Sequence, residues 1–244
     1  MTKLYLTSPT TGQVDIHYMR SVFLLQAECN KRKIGITLHL HKSSIVTFGR
    51  NACTAAFLSS DATHMLFVDT DIQFDEKDIF RMMEADEEVT LIPYPMKWLD
   101  WKKANEMHQR HGIPVNKGAF HFPMKVLGED FECVNGWMEI ERGPAGCMLI
   151  KREAIERMIK FYPDLKVKQN HLVNESVKNS THSYNFWDTE FNKETGQIIG
   201  EDFAFCDRYR KAGGRIFALI DSEIAHHGNY PFRAKFIDEC GKIE

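Results

Sequence analysis

Apolar runs and helix-spaced apolar positions alternate through the first hundred residues. Lys3 to Leu6 is a short strand that ends in the polar turn Thr7-Ser8-Pro9-Thr10-Thr11-Gly12. Asp15 stands where a side chain caps a helix, and Met19, Val22, Phe23 and Ala27 follow at helical spacing. Ile36 to Leu40 reads as a second strand, followed by a helix from about Phe48 to Leu58 that carries Arg50 and Asn51 at its start. His64 to Val68 is continuously apolar, as in strands buried on both faces of a parallel sheet. Asp75 caps a helix running through Met83, with Asp78 in the first turn where the helix dipole favours an anion. Val89 to Ile92 is a further strand, stopped by Pro93 and Pro95.

This rhythm predicts an α/β fold: a Rossmann-like, mostly parallel sheet joined by right-handed crossovers and flanked by helices. The second half is less regular. Residues 113–142 read as strands and loops, Cys147 to Ile150 as a strand, and about Glu153 to Phe161 as a helix. Residues 163–199 are polar apart from the pair Phe186-Trp187 and read as a long surface excursion, the kind that forms lids or binding loops. Glu201 to Ala212 is helical, Gly213-Gly214 ends it, and Arg215 to Ile220 is a last core strand. The expectation is one domain over 1–244 with a loop-rich C-terminal part.

Composition narrows the class. A formal charge of −3 lacks the basic surplus that non-specific nucleic-acid binding needs, so no nucleic-acid partner is expected. The six cysteines are scattered without a Cys-x-x-Cys pair, which argues against a zinc knuckle or redox dithiol and for reduced thiols. The N-terminus lacks a signal-like apolar stretch, and no run is long enough to span a membrane. A cytoplasmic protein is expected.

In open α/β sheets, ligands sit outside the carboxyl ends of the strands. Asp69 and Asp71 lie at such an end, directly after His64–Val68. Aspartates are poorly tolerated in strands, and residues two apart on a strand share a side. Two carboxylates so placed suit a hard divalent cation, which in turn suits phosphate oxygens. A turn-capping Asp69 with a solvated Asp71 is the plainer alternative. A haloacid-dehalogenase-type phosphatase also uses Asp-x-Asp, but there a Thr or Val follows two residues later, where this chain has Gln73.

Two further clusters follow. Gly200-Glu201-Asp202 opens the last helix and offers a carboxylate as general base, or simply an acidic first turn. His226-His227-Gly228 follows the last core strand and offers an imidazole to the same cation, or two surface histidines. Lys97 and Trp98, past the strand end at Pro93-Tyr94-Pro95, are placed to contact phosphate or stack on a sugar, or to form a surface loop. Trp187 is a candidate for an acceptor lid.

In their order, these clusters resemble the GT-A glycosyltransferases, particularly family 2-like enzymes and the small glycosyltransferases of bacterial viruses. The matching order is Leu4 to Thr11, Arg50-Asn51, Asp69-Thr70-Asp71, Gly143-Pro-Ala-Gly146-Cys147, Gly200-Glu201-Asp202 and His226-His227-Gly228. The resemblance implies a nucleotide-sugar-binding half over about 1–112 and an acceptor and catalytic half over about 113–244. It implies a nucleotide-sugar donor, UDP-sugar foremost, bound along Thr7 and Pro9, with Arg50 near the ribose or diphosphate and Lys97 beside it. It makes Asp71 a ligand of Mn2+ or Mg2+, Asp69 a ligand or the ribose partner, and His226, two before a Gly, the histidine ligand. It makes Asp202 the base, with Glu201 beside it, and lays Gly143 and Gly146 beneath the donor sugar. For a viral protein the compartment is the host cytoplasm. The first strand lacks the family's Pro-x-Tyr-Asn run, and the helix after Asp202 departs from its pattern. A retaining transferase, or a non-catalytic nucleotide- or carbohydrate-binding module on the same scaffold, therefore stays open beside the inverting assignment.

Overall fold

A computed structural model describes residues 2–128, 132–168 and 182–239. The first half runs β1 (Lys3–Thr10), α1 (Ile16–Lys31), β2 (Gly35–Lys42), α2 (Val46–Leu58), β3 (His64–Val68), β4 (Ile72–Gln73), α3 (Glu76–Glu84) and β5 (Val89–Leu91). Helices α4 (Trp101–His111) and α5 (Val115–Gly118) lead to β6 (Lys125–Val126), β7 (Trp137–Arg142), β8 (Cys147–Lys151) and α6 (Arg152–Phe161). The chain then forms the hairpin β9 (Glu190–Asn192) and β10 (Gln197–Ile199), α7 (Glu201–Lys211), β11 (Ile216–Leu219), β12 (Ile224–His227) and β13 (Pro231–Ala234).

The central sheet has eight strands in the order β2-β1-β3-β8-β5-β11-β7-β6. The fold class is α/β as expected, a central sheet flanked by helices, but the sheet is mixed rather than mostly parallel. Strand β1 pairs parallel with β2 and β3, and β5 parallel with β11. Strand β8 lies antiparallel between β3 and β5, and β7 is antiparallel to β11. The crossover through α3 leaves a gap beside β3, and β8, from the second half of the chain, fills it. A short second sheet, β13-β12-β4, extends the chain that leaves β3.

Side-chain alternation along the strands divides the core in two. Leu4, Leu6, Leu66 and Val68 pack with Tyr18, Val22 and Leu25 of α1 and Ile79 and Phe80 of α3. Tyr5, Met65 and Phe67 face the other way, into a cluster with Phe57 of α2, Ile155 and Met158 of α6, and Phe205 and Tyr209 of α7. Helix ends are satisfied locally. Asp15 and Asp75 cap α1 and α3 by accepting from the backbone of His17 and Lys77. Past the C-terminus of α2, the Arg152 guanidinium donates to the carbonyls of Phe57, Ser60 and Ala62 at 3.1, 2.9 and 2.8 Å. Cys29, Cys53, Cys133, Cys147 and Cys206 are free thiols, as expected; Cys240 lies outside the described residues.

Residues 169–181 of the excursion expected over 163–199 lie outside the described residues, and the described part departs from a surface loop at the β9–β10 hairpin and at Trp187. Trp187 is fully buried, so it is not an exposed lid. Its indole stacks on Phe205 at 4.0 Å, meets Phe67 edge-on at 5.0 Å, and donates from Nε1 to Thr54 Oγ1 at 2.9 Å. Asn51 Oδ1 accepts its backbone N–H at 3.1 Å, and Asn51 Nδ2 donates to Asn185 Oδ1 at 2.9 Å. An apolar pair in a polar stretch has here become the closing wedge between α2, β3 and α7. Trp187→Ala should cost about 3–5 kcal/mol of stability, read as a lower urea midpoint; a loss under about 1 kcal/mol would mean the wedge is dispensable.

Candidate active site

The apolar run of β3 ends at Val68, and the next residues turn out of the sheet. Asp69 N–H donates to Gly146 O at 3.0 Å, which fastens the motif to the segment before β8. Across from it, Arg50 sits on α2 at 3 % exposure. Arg50 Nη2 donates to Asp69 Oδ1 and Oδ2 at 3.1 and 3.2 Å, and Nε donates to Glu201 Oε1 at 3.3 Å. Burial alone would lower the guanidinium's pKa, but Asp69, Glu201, Tyr94 and Asp202 together raise it, so the charge is fixed. One guanidinium atom, Arg50 Nη1, is buried without a hydrogen-bond partner.

Gly146 has a steric reason to be glycine. A Cβ there would come within 2.6 Å of the Tyr94 ring and 2.7 Å of Asp69 Oδ2. The missing side chain therefore makes room for Asp69 itself. Gly143 is buried against Leu91 and Ile140, where a Cβ would lie 2.6 and 2.8 Å from their methyls. Both glycines serve packing around the site. Thr7 is likewise buried, its hydroxyl 3.1 Å from His39 Nδ1, and does not line the cleft; Pro9 does.

Asp71 faces a different set of groups. Its Oδ2 lies 2.5 Å from Lys97 Nζ and 3.4 Å from His226 Nε2. Burial would raise the carboxyl, but His226 and Lys97 outweigh it and hold it at about 2. His226 is aimed from its other side, with Nδ1 3.0 Å from Pro95 O and its ring edge-on to Tyr94 at 5.0 Å. Its placement follows from β12 pairing antiparallel with β4, with His226 opposite Ile72. A cleft of about 330 Å³ gathers Pro9, Thr10, Thr11, Ser43, Ser44, Asp69, Asp71, Tyr94 and His226. Trp98 stands next to Lys97, 45 % exposed, with one face stacked on His121 at 4.4 Å.

Asp202 opens α7 beside Glu201. Burial, then the neighbouring Glu201, push its carboxyl up to about 6 against the pull of Arg50. Of the expected residues, the structure thus joins Arg50, Asp69 and Glu201 in one network and Asp71, Lys97 and His226 in another. Tyr94 belongs to both surroundings and was signalled only by its place between two prolines after a strand. A second feature lies outside expectation. Among the described residues, Asp15, His17 and His227 are the one group of three metal-type donors whose ligand atoms lie within 4.8 Å of one another.

No family model matches the sequence, and no curated protein matches it significantly. Several solved structures are similar to parts of this chain. A197 from STIV is 16 % identical, with 93 % of this chain and 86 % of that chain aligned, at a TM-score of 0.49. A glycosyltransferase involved in glycosylation of the major capsid of PBCV-1 is 11 % identical over 66 % of this chain and 65 % of that chain, TM-score 0.34. The 4-diphosphocytidyl-2C-methyl-D-erythritol synthase from Anaerococcus prevotii is 9 % identical over 86 % and 96 %, TM-score 0.33. At these scores the likeness decides neither fold nor chemistry, which rest on the strand order and the side chains described above.

Arg50→Met should destabilise the protein by about 3–5 kcal/mol, because it leaves two partly buried carboxylates without their cation. Equilibrium denaturation at pH 7 measures this. A variant as stable as wild type would show that Asp69 and Glu201 do not depend on Arg50.

Proposed function

We propose that this protein is a metal-dependent glycosyltransferase of the GT-A type. It moves a sugar from a nucleoside diphosphate sugar, UDP-sugar foremost, to an acceptor hydroxyl with inversion. The observation that carries this reading is the convergence of Asp71 and His226 at the end of β3, in a cleft that reaches the end of β1. A carboxylate ionised across the physiological range and a ring nitrogen at 3.4 Å from it fit a divalent cation as two donors. Bound there, Mn2+ or Mg2+ would neutralise charge growing on the leaving diphosphate, and the imidazole favours Mn2+.

The chain's own groups supply the rest. Lys97 holds a positive charge 2.5 Å from Asp71 Oδ2, on a stem long enough to turn to a phosphate oxygen. Arg50 holds the Asp69 carboxylate in place through both its oxygens, which suits Asp69 to hold a ribose hydroxyl or to join the cation's shell. With both oxygens engaged by Arg50, Asp69 is poorly placed to be a phosphatase nucleophile. Asp202, pushed up to about 6, is deprotonated at neutral pH yet more basic than an ordinary carboxylate. As the acceptor oxygen bonds to the anomeric carbon and the bond to the diphosphate oxygen breaks, the acceptor's proton passes to Asp202. Glu201, tied to Arg50, holds the start of α7 in place.

Hydrolysis and transfer from UDP- and GDP-sugars, with and without Mn2+, test the reading. Mn2+-dependent turnover is expected, and failure of every nucleotide sugar to bind in the presence of metal would end it. Asp71→Ala should abolish the metal dependence together with activity. Asp202→Asn should lower kcat by about 10²–10⁴ while leaving donor affinity in place. Because Asp202 acts deprotonated, kcat/KM should fall as pH drops through about 6. A profile flat to pH 5 would remove it as the base.

A further inference from the structure

The second histidine of the pair 226–227 leads away from the donor site. His227 is buried and its ring stacks on His17, on the first turn of α1, with centroids 4.3 Å apart and planes 12° from parallel. The Asp15 carboxylate, the N-cap of the same helix, completes a set whose ligand atoms lie within 4.8 Å of one another. Two imidazoles and one carboxylate are the donor set of zinc-class cations, unlike the all-oxygen set preferred by Mg2+.

An independent observation concerns which nitrogen of His227 carries a proton. Arg233 Nη2 donates to Gln73 Oε1 at 2.8 Å, and a guanidinium has only donors, so that Gln73 atom is an acceptor. His227 Nε2 lies 3.0 Å from the same oxygen and is therefore the N–H side of the ring. Nδ1 keeps the lone pair. A ring oriented by an oxygen acceptor on its N–H is the outer-shell feature that accompanies metal-bound histidines. The cluster is also tied to the motif by backbone bonds. Asp15 N–H donates to Thr70 O at 2.8 Å, and His227 N–H to Asp71 O at 2.7 Å.

We propose that Asp15, His17 and His227 form a second cation site, distinct from the donor site, for a zinc-class divalent cation such as Zn2+ or Co2+. Water fills the remaining position. Zinc–nitrogen bonds of about 2.0–2.1 Å draw the three donors together, and His17, exposed on α1, supplies the movement. The bound ion joins the start of α1 to β12 and so clamps the backbone on both sides of Thr70-Asp71. This proposal stands whether or not the protein transfers sugar.

Tag-free protein stripped with chelator, titrated with Zn2+ by calorimetry and followed by thermal melting, tests it. Wild type should take up one equivalent at this site, beyond any held by Asp71 and His226, with a raised Tm. His17→Ala and Asp15→Asn, which keeps a capping side chain, should lose that equivalent and the Tm rise, whereas Asp71→Ala should keep both. Gln73→Ala should weaken binding about tenfold by freeing the ring. Absence of Zn2+ binding in wild type, or equal binding in His17→Ala, overturns the proposal. Loss of the equivalent in Asp71→Ala with its retention in His17→Ala would assign the ion to the donor site instead.

Discussion

The buried Arg50 guanidinium is the interaction on which the site depends. A charge removed from water is costly unless paired, and Arg50 is paired twice, to Asp69 at 19 residues' distance in sequence and to Glu201 at 151. Those bonds tie α2 to the end of β3 and to the start of α7, the elements that carry the candidate ligands and base. The wall around the guanidinium is aromatic, with its carbon 5.4 Å from the Phe67 ring centre and 5.7 Å from that of Trp187. Burying Trp187 is therefore part of building the site. It closes the apolar side of the pocket in which Arg50 is forced to find its carboxylates.

With that cation fixed, four carboxylates of one region are driven to different tasks by their surroundings. Asp69 and Glu201 are held against Arg50. Asp71, two residues from Asp69, turns to His226 and Lys97 and stays strongly acidic. Asp202, next to Glu201, is left with burial and a like-charged neighbour and becomes the most basic of the set among those whose acidity is displaced. Environments that push the acidities of neighbouring carboxyls apart are the means by which a site obtains both a ligand and a base from the same residue type.

How much of this can be read from sequence depends on how local each cause is. Strand β3 and the caps at Asp15 and Asp75 are legible because apolar continuity and capping act within a few residues. Helix α4 is not, because Ala104 is its sole buried residue and no apolar stripe marks it; only its Asp100 cap and the left-handed Gly112 that ends it are local signals. The antiparallel insertion of β8 is hidden for another reason. A strand buried on both faces looks the same whichever way it runs, so Cys147–Lys151 shows its type but not its direction. Gly146 was visible as a glycine near the site, yet its partners, Asp69 and Tyr94, arrive from strands far apart in the sequence. The burial of Trp187 has the same non-local origin, since Asn51, Thr54 and Phe205 lie on two other helices.

The adjacent histidines show what a strand does that a motif cannot express. Two neighbouring imidazoles appear interchangeable as ligands in sequence, but β12 pairs with β4 and alternates its side chains. His226 is therefore sent toward Asp71, Pro95 and Tyr94, while His227 is sent toward Gln73 and His17. Neither histidine can replace the other without reversing the strand's faces. A one-residue slip in the register of β12 would exchange them, and would at the same time bury the wrong neighbours, Ile224 and Ala225 being fully buried in the present register. The packing of this short strand thus decides which histidine meets the Asp69–Asp71 motif from the side of the cleft.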